Sequence, residues 1–161
     1  MMGNEPFEKL PIQYKPIQKL DHYPPRMSFG LAVPEGELSQ FRRVALENNL
    51  GDPEKLSTTK VFFTLRSLVI PYLNELCGLS PEEGIVCAHV HSLQAAIVLE
   101  LKTNYRRRVP KEKRDDAIRV IKEVFHLPDD AKPKWYLELD MDLKEPDEYT
   151  LPSEPFFSTT I

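Results

Sequence analysis

The sequence predicts a mainly α-helical fold, an irregular bundle of about four helices with an extended proline-rich arm at each end. Three observations predict it: an explicit helix start at Ser80, apolar residues at helical spacing in several other segments, and prolines concentrated near both ends. The length of 161 residues and the hydrophobic share of 41% are typical of one globular domain.

The helix that begins at Ser80 is the centre of this prediction. Ser80 is a good N-cap, Pro81 occupies the first helical position, and Glu83 follows at capping-box spacing. The helix is predicted to continue to about Arg107. Its apolar side chains step by three or four residues along one face: Val86, Val90, Leu93, Ile97 and Leu101.

The same stretch also alternates between apolar and polar residues, which is typical of strands. The alternation covers residues 85–91 and 95–105, and it returns at 134–142. The alternative is therefore an α+β fold in which three strands surround a helix over 111–127. We favour the helical interpretation because its start signal is explicit and its alanines are strong helix formers.

Other helices are predicted from the same kind of spacing. They cover residues 36–50, 59–77 and 111–127, and Pro128 ends the last of them.

Proline divides the chain into an arm, a core and a tail. Of 15 prolines, six precede residue 35 and five follow from Pro128 onward. Because proline fixes φ and biases its neighbour toward extended backbone, we expect an extended arm over 1–35. Residues 36–127 are the predicted helical core of the single domain, and 128–161 form an acidic tail that contains proline.

Charge and hydropathy exclude some classes of partner. The net charge of −4 disfavours nucleic acid or an anionic membrane as a partner of the whole surface. No apolar run is long enough for a membrane span, and no signal-peptide pattern precedes the arm. The two cysteines do not make a disulfide framework. We expect a protein inside the cell, cytoplasmic or nuclear, without a membrane segment.

Cys87, His89 and His91 are candidate metal ligands. On a strand all three share a face, whereas on a helix only Cys87 and His91 do. Either geometry supplies part of a zinc site, but a fourth ligand is missing nearby. Buried cysteine and histidine are also common in ordinary cores, so we expect no metal and no other cofactor.

Glu100 and Lys102 give the alternative of an enzyme. With the apolar run before them, they are similar to the E-x-K half of the PD-(D/E)xK nuclease signature. On a strand, the resemblance implies that Glu100 holds a divalent metal and that Lys102, on the same side, assists the attacking water. The aspartate of the first half is missing, because none stands between Gly78 and Glu100.

A basic cluster follows this segment and provides a second alternative, a nucleic-acid-binding module. Guanidinium groups suit the forked geometry of phosphate, although Tyr105 is the one aromatic residue beside them. The chain's own acidic tail, residues 138–154, is a nearer partner of opposite charge. The candidate binding residues are Arg106, Arg107, Arg108, Lys111 and Arg114, with Lys113 between the last two.

The favoured function is a non-catalytic binding or scaffold protein, an adaptor or a subunit of a larger assembly. Apolar, proline-rich arms suit wrapping around a protein partner or a second copy of the chain. Trp135 and the pair Phe156 and Phe157 are candidate anchors for such contacts. No set of residues converges on a catalytic reaction, so an enzyme is the less favoured class.

Overall fold

Four antiparallel strands close on themselves in this computed structural model, which describes residues 6–34, 36–92 and 95–139. The order around the resulting barrel is β1-β3-β2-β4, and β4 pairs with both β2 and β1. The strands are β1 (Met27–Val33), β2 (Val86–His91), β3 (Ile97–Thr103) and β4 (Lys134–Glu138).

The described helices pack against the outside of this barrel. They are α1 (Glu37–Glu47), α2 (Pro53–Thr58), α3 (Phe62–Cys77) and α4 (Lys111–Val124). The main core lies between them and the sheet, where Phe41, Leu65 and Ile121 are fully buried against Leu99 and Leu101. Among the residues described, no helix combines the length and apolarity needed to cross a membrane.

The prediction of a mainly α-helical bundle is wrong, because the predicted helix from Ser80 to Arg107 is two strands. Only Pro81–Glu83 forms a short 3-10 turn, and the side chain of Ser80 makes no capping bond there. Beyond it, β2 and β3 pair as neighbouring strands, and β3 is buried on both faces. A strand buried on two faces has a near-continuous apolar sequence, which resembles that of a buried helix.

The α+β alternative is closer, since strands lie near each of its three predicted segments. They are shorter than predicted, and the end of the 134–142 segment lies outside the described residues. The additional strand β1 was missed because it lies inside the predicted proline-rich arm. Its hydrogen-bonded neighbours are β3 and β4, far away in sequence.

The predicted helices outside this region are present with shorter bounds. The segment 36–50 contains α1, and the segment 111–127 contains α4. The predicted helix 59–77 starts later, at Phe62. The preceding α2 is a separate short helix, and the carboxylate of its N-cap Asp52 accepts a bond of 3.2 Å from the backbone N–H of Glu54.

The N-terminal arm packs on the chain's own barrel. Phe7 exchanges two backbone hydrogen bonds with Trp135, of 2.9 and 2.7 Å. The buried amide of Asn104 donates to the carbonyl oxygens of Tyr14 and Pro25, at 2.8 and 3.0 Å. These bonds place the arm beside β1 and β4, with its side chains at Ile12 and Leu20 left exposed.

Gly30 marks the closest approach of β1 and β3. A Cβ atom at this position would lie 2.0 Å from the carbonyl oxygen of Leu99. Only a residue without a Cβ therefore fits here, since real Cβ atoms essentially never come this close to backbone.

We predict that Gly30→Ala lowers the free energy of unfolding by about 3 kcal/mol or more, because β1 and β3 must separate to admit the methyl group. Gly51→Ala is the matched control, since its Cβ would meet Leu56 at an ordinary 3.5 Å. Urea unfolding of both variants checks this. Equal stability of the two variants would contradict the close approach.

Candidate functional site

A β-bulge shapes the end of β3 nearest to the basic cluster. Phe29 lies opposite Lys102, whereas the next residue, Gly30, lies opposite Glu100. Leu101 is thus the extra residue in β3, and it changes the alternation of side chains along the strand.

The bulge places Glu100 and Lys102 on opposite faces of the sheet. Glu100 accepts a hydrogen bond of 2.7 Å from the hydroxyl of Ser28. The amino group of Lys102 lies over the rings of Phe29 and Trp135, at 5.0 and 5.4 Å from their centres. Because Ser28 and Phe29 are consecutive residues of β1, they point to opposite faces. The structure therefore does not bring together the two side chains that the nuclease hypothesis needs.

Inside the barrel, Glu100 belongs to a buried network of charges. The residue is completely buried, and its carboxylate forms an ion pair with Arg108. Glu138 forms the second pair, with Arg26 at 2.8 Å. The hydroxyl of Ser28 joins the two pairs, because it lies 2.7 Å from the Glu100 carboxyl and 2.9 Å from that of Glu138.

The network favours a proton on one of its carboxyl groups. A serine hydroxyl has one hydrogen and can donate it to only one carboxylate at a time. Both contacts to Ser28 are satisfied when Glu100 is protonated and donates to the hydroxyl oxygen, while the hydroxyl donates to Glu138. Burial raises the pKa of Glu100, and the negative charge of Glu138 raises it further against the opposing effect of Arg108.

On the outer face, Lys102 is surrounded by other cations. The loop after β3 turns back so that Arg107 faces Lys102 in an isolated bridge, and α4 begins at Lys111. Burial and, to a smaller extent, the charges of Arg114, Arg107 and Lys111 together lower the pKa of Lys102 to about 8. We call Lys102, Arg107, Lys111 and Arg114 the cation cluster.

Arg114 is the least satisfied member of the cation cluster. Its Nε–H is buried and has no hydrogen-bond partner in the described part of the chain. Burial lowers the pKa of Arg114, and the charge of Arg107 does so as well, while Asp115 and Glu112 oppose this. A buried donor without a partner costs about 1–3 kcal/mol, so an acceptor supplied by a ligand would be favourable.

The start of α4 adds positive potential to the same place. The N-cap is Pro110, which has no side chain able to accept from the first N–H groups of the helix. These N–H groups carry the positive end of the helix dipole, where Lys111 and Arg114 are unfavourable. An anion bound here would therefore meet helix N–H groups and several cationic side chains together.

The structure divides the basic residues that the sequence grouped together. Arg107, Lys111 and Arg114 lie in the cation cluster, whereas Arg106 is not among the charges that lower the pKa of Lys102 and Arg108 forms an ion pair with Glu100. Lys102 was predicted as part of a catalytic pair. Its place in the cluster follows from the bulge in β3, and no simple pattern in the sequence indicates a bulge there.

Of the candidate anchor residues, the structure describes Trp135. Trp135 is only 3% exposed and is covered by Lys102 and Phe29, so its ring is a support for the cluster. Phe156 and Phe157 lie outside the described residues.

Cys87, His89 and His91 are every second residue of β2, so they share one face of the strand, as the strand interpretation predicts. Burial raises the pKa of the Cys87 thiol to about 12, and the ring of His89 lies 6.4 Å from that of Phe62. In the ranges that the structure describes, no group of three or more His, Cys, Asp or Glu residues is placed to hold a metal ion.

No protein-family model, curated protein or solved structure matches this chain.

We predict that the amino group of Lys102 has a pKa near 8 and that this pKa rises in Arg107→Gln and Arg114→Gln, because each variant removes a neighbouring positive charge. Nuclear magnetic resonance of the lysine side chains against pH measures it. Lys113→Gln is the control, since Lys113 donates to the Gly78 carbonyl and does not lower the pKa of Lys102. An equal rise of the Lys102 pKa in all three variants would contradict the grouping of Arg107 and Arg114 with Lys102.

We predict that Glu100→Gln weakens the pH dependence of stability. A carboxyl whose pKa is raised on folding stabilises the protein below its unfolded pKa, close to 4.5, and this contribution is lost as pH rises through the folded pKa. The free energy of unfolding should therefore fall less between these pH values in the variant. Urea unfolding at several pH values measures this, and the exposed Glu75→Gln is the control. Parallel profiles of unfolding free energy against pH for wild type and Glu100→Gln would contradict the prediction.

Proposed function

We propose that the protein is a non-catalytic binding protein whose cation cluster holds an acidic segment of a partner protein. The convergence of Lys102, Arg107, Lys111 and Arg114 at the start of α4 carries this proposal. These like charges lower the pKa of Lys102, and a carboxylate ligand would relieve their repulsion. The same ligand would give Arg114 Nε the acceptor that it lacks among the described residues.

An acidic protein segment suits this site better than nucleic acid does. Single-stranded nucleic acid is held by a long basic groove with aromatic platforms on which bases stack. Here the cations gather at one helix start, and the nearby Trp135 is buried beneath Lys102.

Glu100 has a structural role in this site. Its ion pair with Arg108 fixes the loop that carries Arg107, one residue away. The backbone N–H of Val109 also bonds to the carbonyl oxygen of Leu101 at 3.0 Å, which holds the same loop against β3. The cluster is thus preorganised, and this lowers the entropic cost of binding.

The proposal predicts that replacing the cation cluster by glutamines weakens binding of a fluorescent oligoglutamate peptide about tenfold or more, since several charge-assisted contacts are lost together. Anisotropy at physiological ionic strength, where the Debye length is about 8 Å, measures the affinity. The control replaces four exposed lysines elsewhere by glutamine: Lys9, Lys19, Lys55 and Lys60.

Similar losses in the cluster variant and the control variant would contradict a specific site. A single-stranded oligonucleotide of equal charge is the competing probe. If it bound more tightly than the peptide and depended on the same four residues, the partner would be nucleic acid and the proposed partner class would be wrong.

A further inference from the structure

We infer that the amino group of Lys102 is a covalent binding site for small carbonyl compounds that carry a carboxylate, with which it forms an imine. This rests on the proposed function in one respect, because it assumes that the cation cluster accepts a carboxylate. It goes beyond that function, since it assigns a chemical reaction to one member of the cluster and a class of small-molecule ligand to the site.

Two aromatic rings hold the amino group of Lys102 in place on the outer face of the sheet. Its nitrogen lies 5.0 Å from the centre of the Phe29 ring and 5.4 Å from that of the Trp135 ring. The two rings are in contact, with their centres 5.1 Å apart, and Trp135 is buried. Lys102 itself is only half-buried, so its nitrogen has a defined position and still leaves access for a small molecule.

The surroundings of Lys102 favour the neutral amine, which is the form that attacks a carbonyl carbon. Contact with the ring faces favours the ammonium form. The pKa of Lys102 nevertheless falls to about 8, because of burial and, to a smaller extent, the charges of Arg114, Arg107 and Lys111. About a tenth of the amino groups is then neutral at pH 7, which is about two hundred times the neutral fraction of an ordinary lysine.

The cations that favour the neutral amine also supply the opposite charge for a ligand. Arg107 lies opposite Lys102 in an isolated bridge, and Lys111 and Arg114 are in the first turn of α4. Guanidinium groups bind a carboxylate through two parallel hydrogen bonds. A carboxylate held there would place the rest of a small ligand beside Lys102, and such proximity accelerates reaction. The site therefore favours an anionic carbonyl compound over a neutral one.

Imine formation at Lys102 needs no oxidant, reductant or further group. The lone pair of the nitrogen forms a bond to the carbonyl carbon as the C–O π bond breaks, and one proton passes from nitrogen to oxygen through water. The remaining C–O bond then breaks, and the oxygen leaves as water with a proton from solvent, while the nitrogen returns its second proton to solvent. The products are a C=N bond and one water molecule, and addition of water reverses the reaction.

The test treats the full chain at pH 7 with 4-formylbenzoate and cyanoborohydride, which reduces an imine to a stable amine that mass spectrometry locates. We expect Lys102 to be labelled about tenfold or more faster than four exposed lysines, because more of its amine is neutral. The exposed lysines are Lys9, Lys19, Lys55 and Lys60. Labelling at equal rates over these five residues would overturn the inference.

A neutral probe tests the selection for a carboxylate. The matched compound 4-formylbenzamide has a similar aldehyde without the negative charge. We expect it to label Lys102 about tenfold more slowly than 4-formylbenzoate does, since it lacks the charge-assisted contacts to the cluster. Equal labelling of Lys102 by the two probes would overturn the inference, and this comparison is made on wild type.

Arg107→Gln and Arg114→Gln test the contribution of the neighbouring cations. Each variant should slow labelling of Lys102 by both probes, because the pKa of Lys102 rises, and should slow 4-formylbenzoate more, because a contact to its carboxylate is lost. Lys113→Gln is the matched control, since Lys113 donates to the Gly78 carbonyl oxygen at 2.9 Å and does not lower the pKa of Lys102. Equal slowing in all three variants would overturn the role of the cluster.

The oligoglutamate peptide distinguishes this covalent site from the proposed function. If 4-formylbenzoate labels Lys102 selectively and the peptide does not bind the cluster, the covalent site stands and the acidic protein partner is wrong. If the peptide binds through the cluster and Lys102 reacts no faster than the exposed lysines, the acidic partner stands and the covalent site is wrong.

Discussion

Burial of β3 on both faces is the constraint on which the rest of the structure depends. Leu99 and Leu101 enter the core beneath the helices, while Val98 points into the barrel with Tyr136. The helices, the barrel and the arm all pack around this strand or its direct neighbours. Because Gly30 lets β1 approach it closely, the ring of four strands can close with a small interior.

Because of the bulge at Leu101, β3 has carboxylates on its inner face and cations on its outer face. Carboxylates lie on the inner face, where Glu100 and Glu138 share Ser28 and are each matched by an arginine. Cations lie on the outer face around Lys102. The carboxylates of the inner network are accompanied by arginines, whereas an added anion would reduce the repulsion among the cations of the outer face. This asymmetry is the physical basis for assigning binding to the outer face and a structural role to the inner one.

The sequence predicts the local features of this fold better than its long-range ones. The segments that contain α1, α3 and α4 were recognised, because their apolar stripes follow helical spacing within one segment. The strands β2 and β3 were the second choice, since the Ser80 start signal favoured a helix and burial of β3 on both faces hides its alternation. The strand β1 was missed because its partners lie far away in sequence. Arg107, Lys111 and Arg114 were predicted as candidate binding residues, and this stays a prediction. Their grouping with Lys102 depends on a bulge that arises only when β1 and β3 pair.

The most direct test of the central claim is a chemical-shift map of the full chain during titration with oligoglutamate peptide. The account predicts that the largest changes occur at Lys102, Arg107, Lys111 and Arg114 and in the first turn of α4. Changes centred instead on the exposed arm residues Ile12 and Leu20, with the cation cluster unaffected, would contradict it.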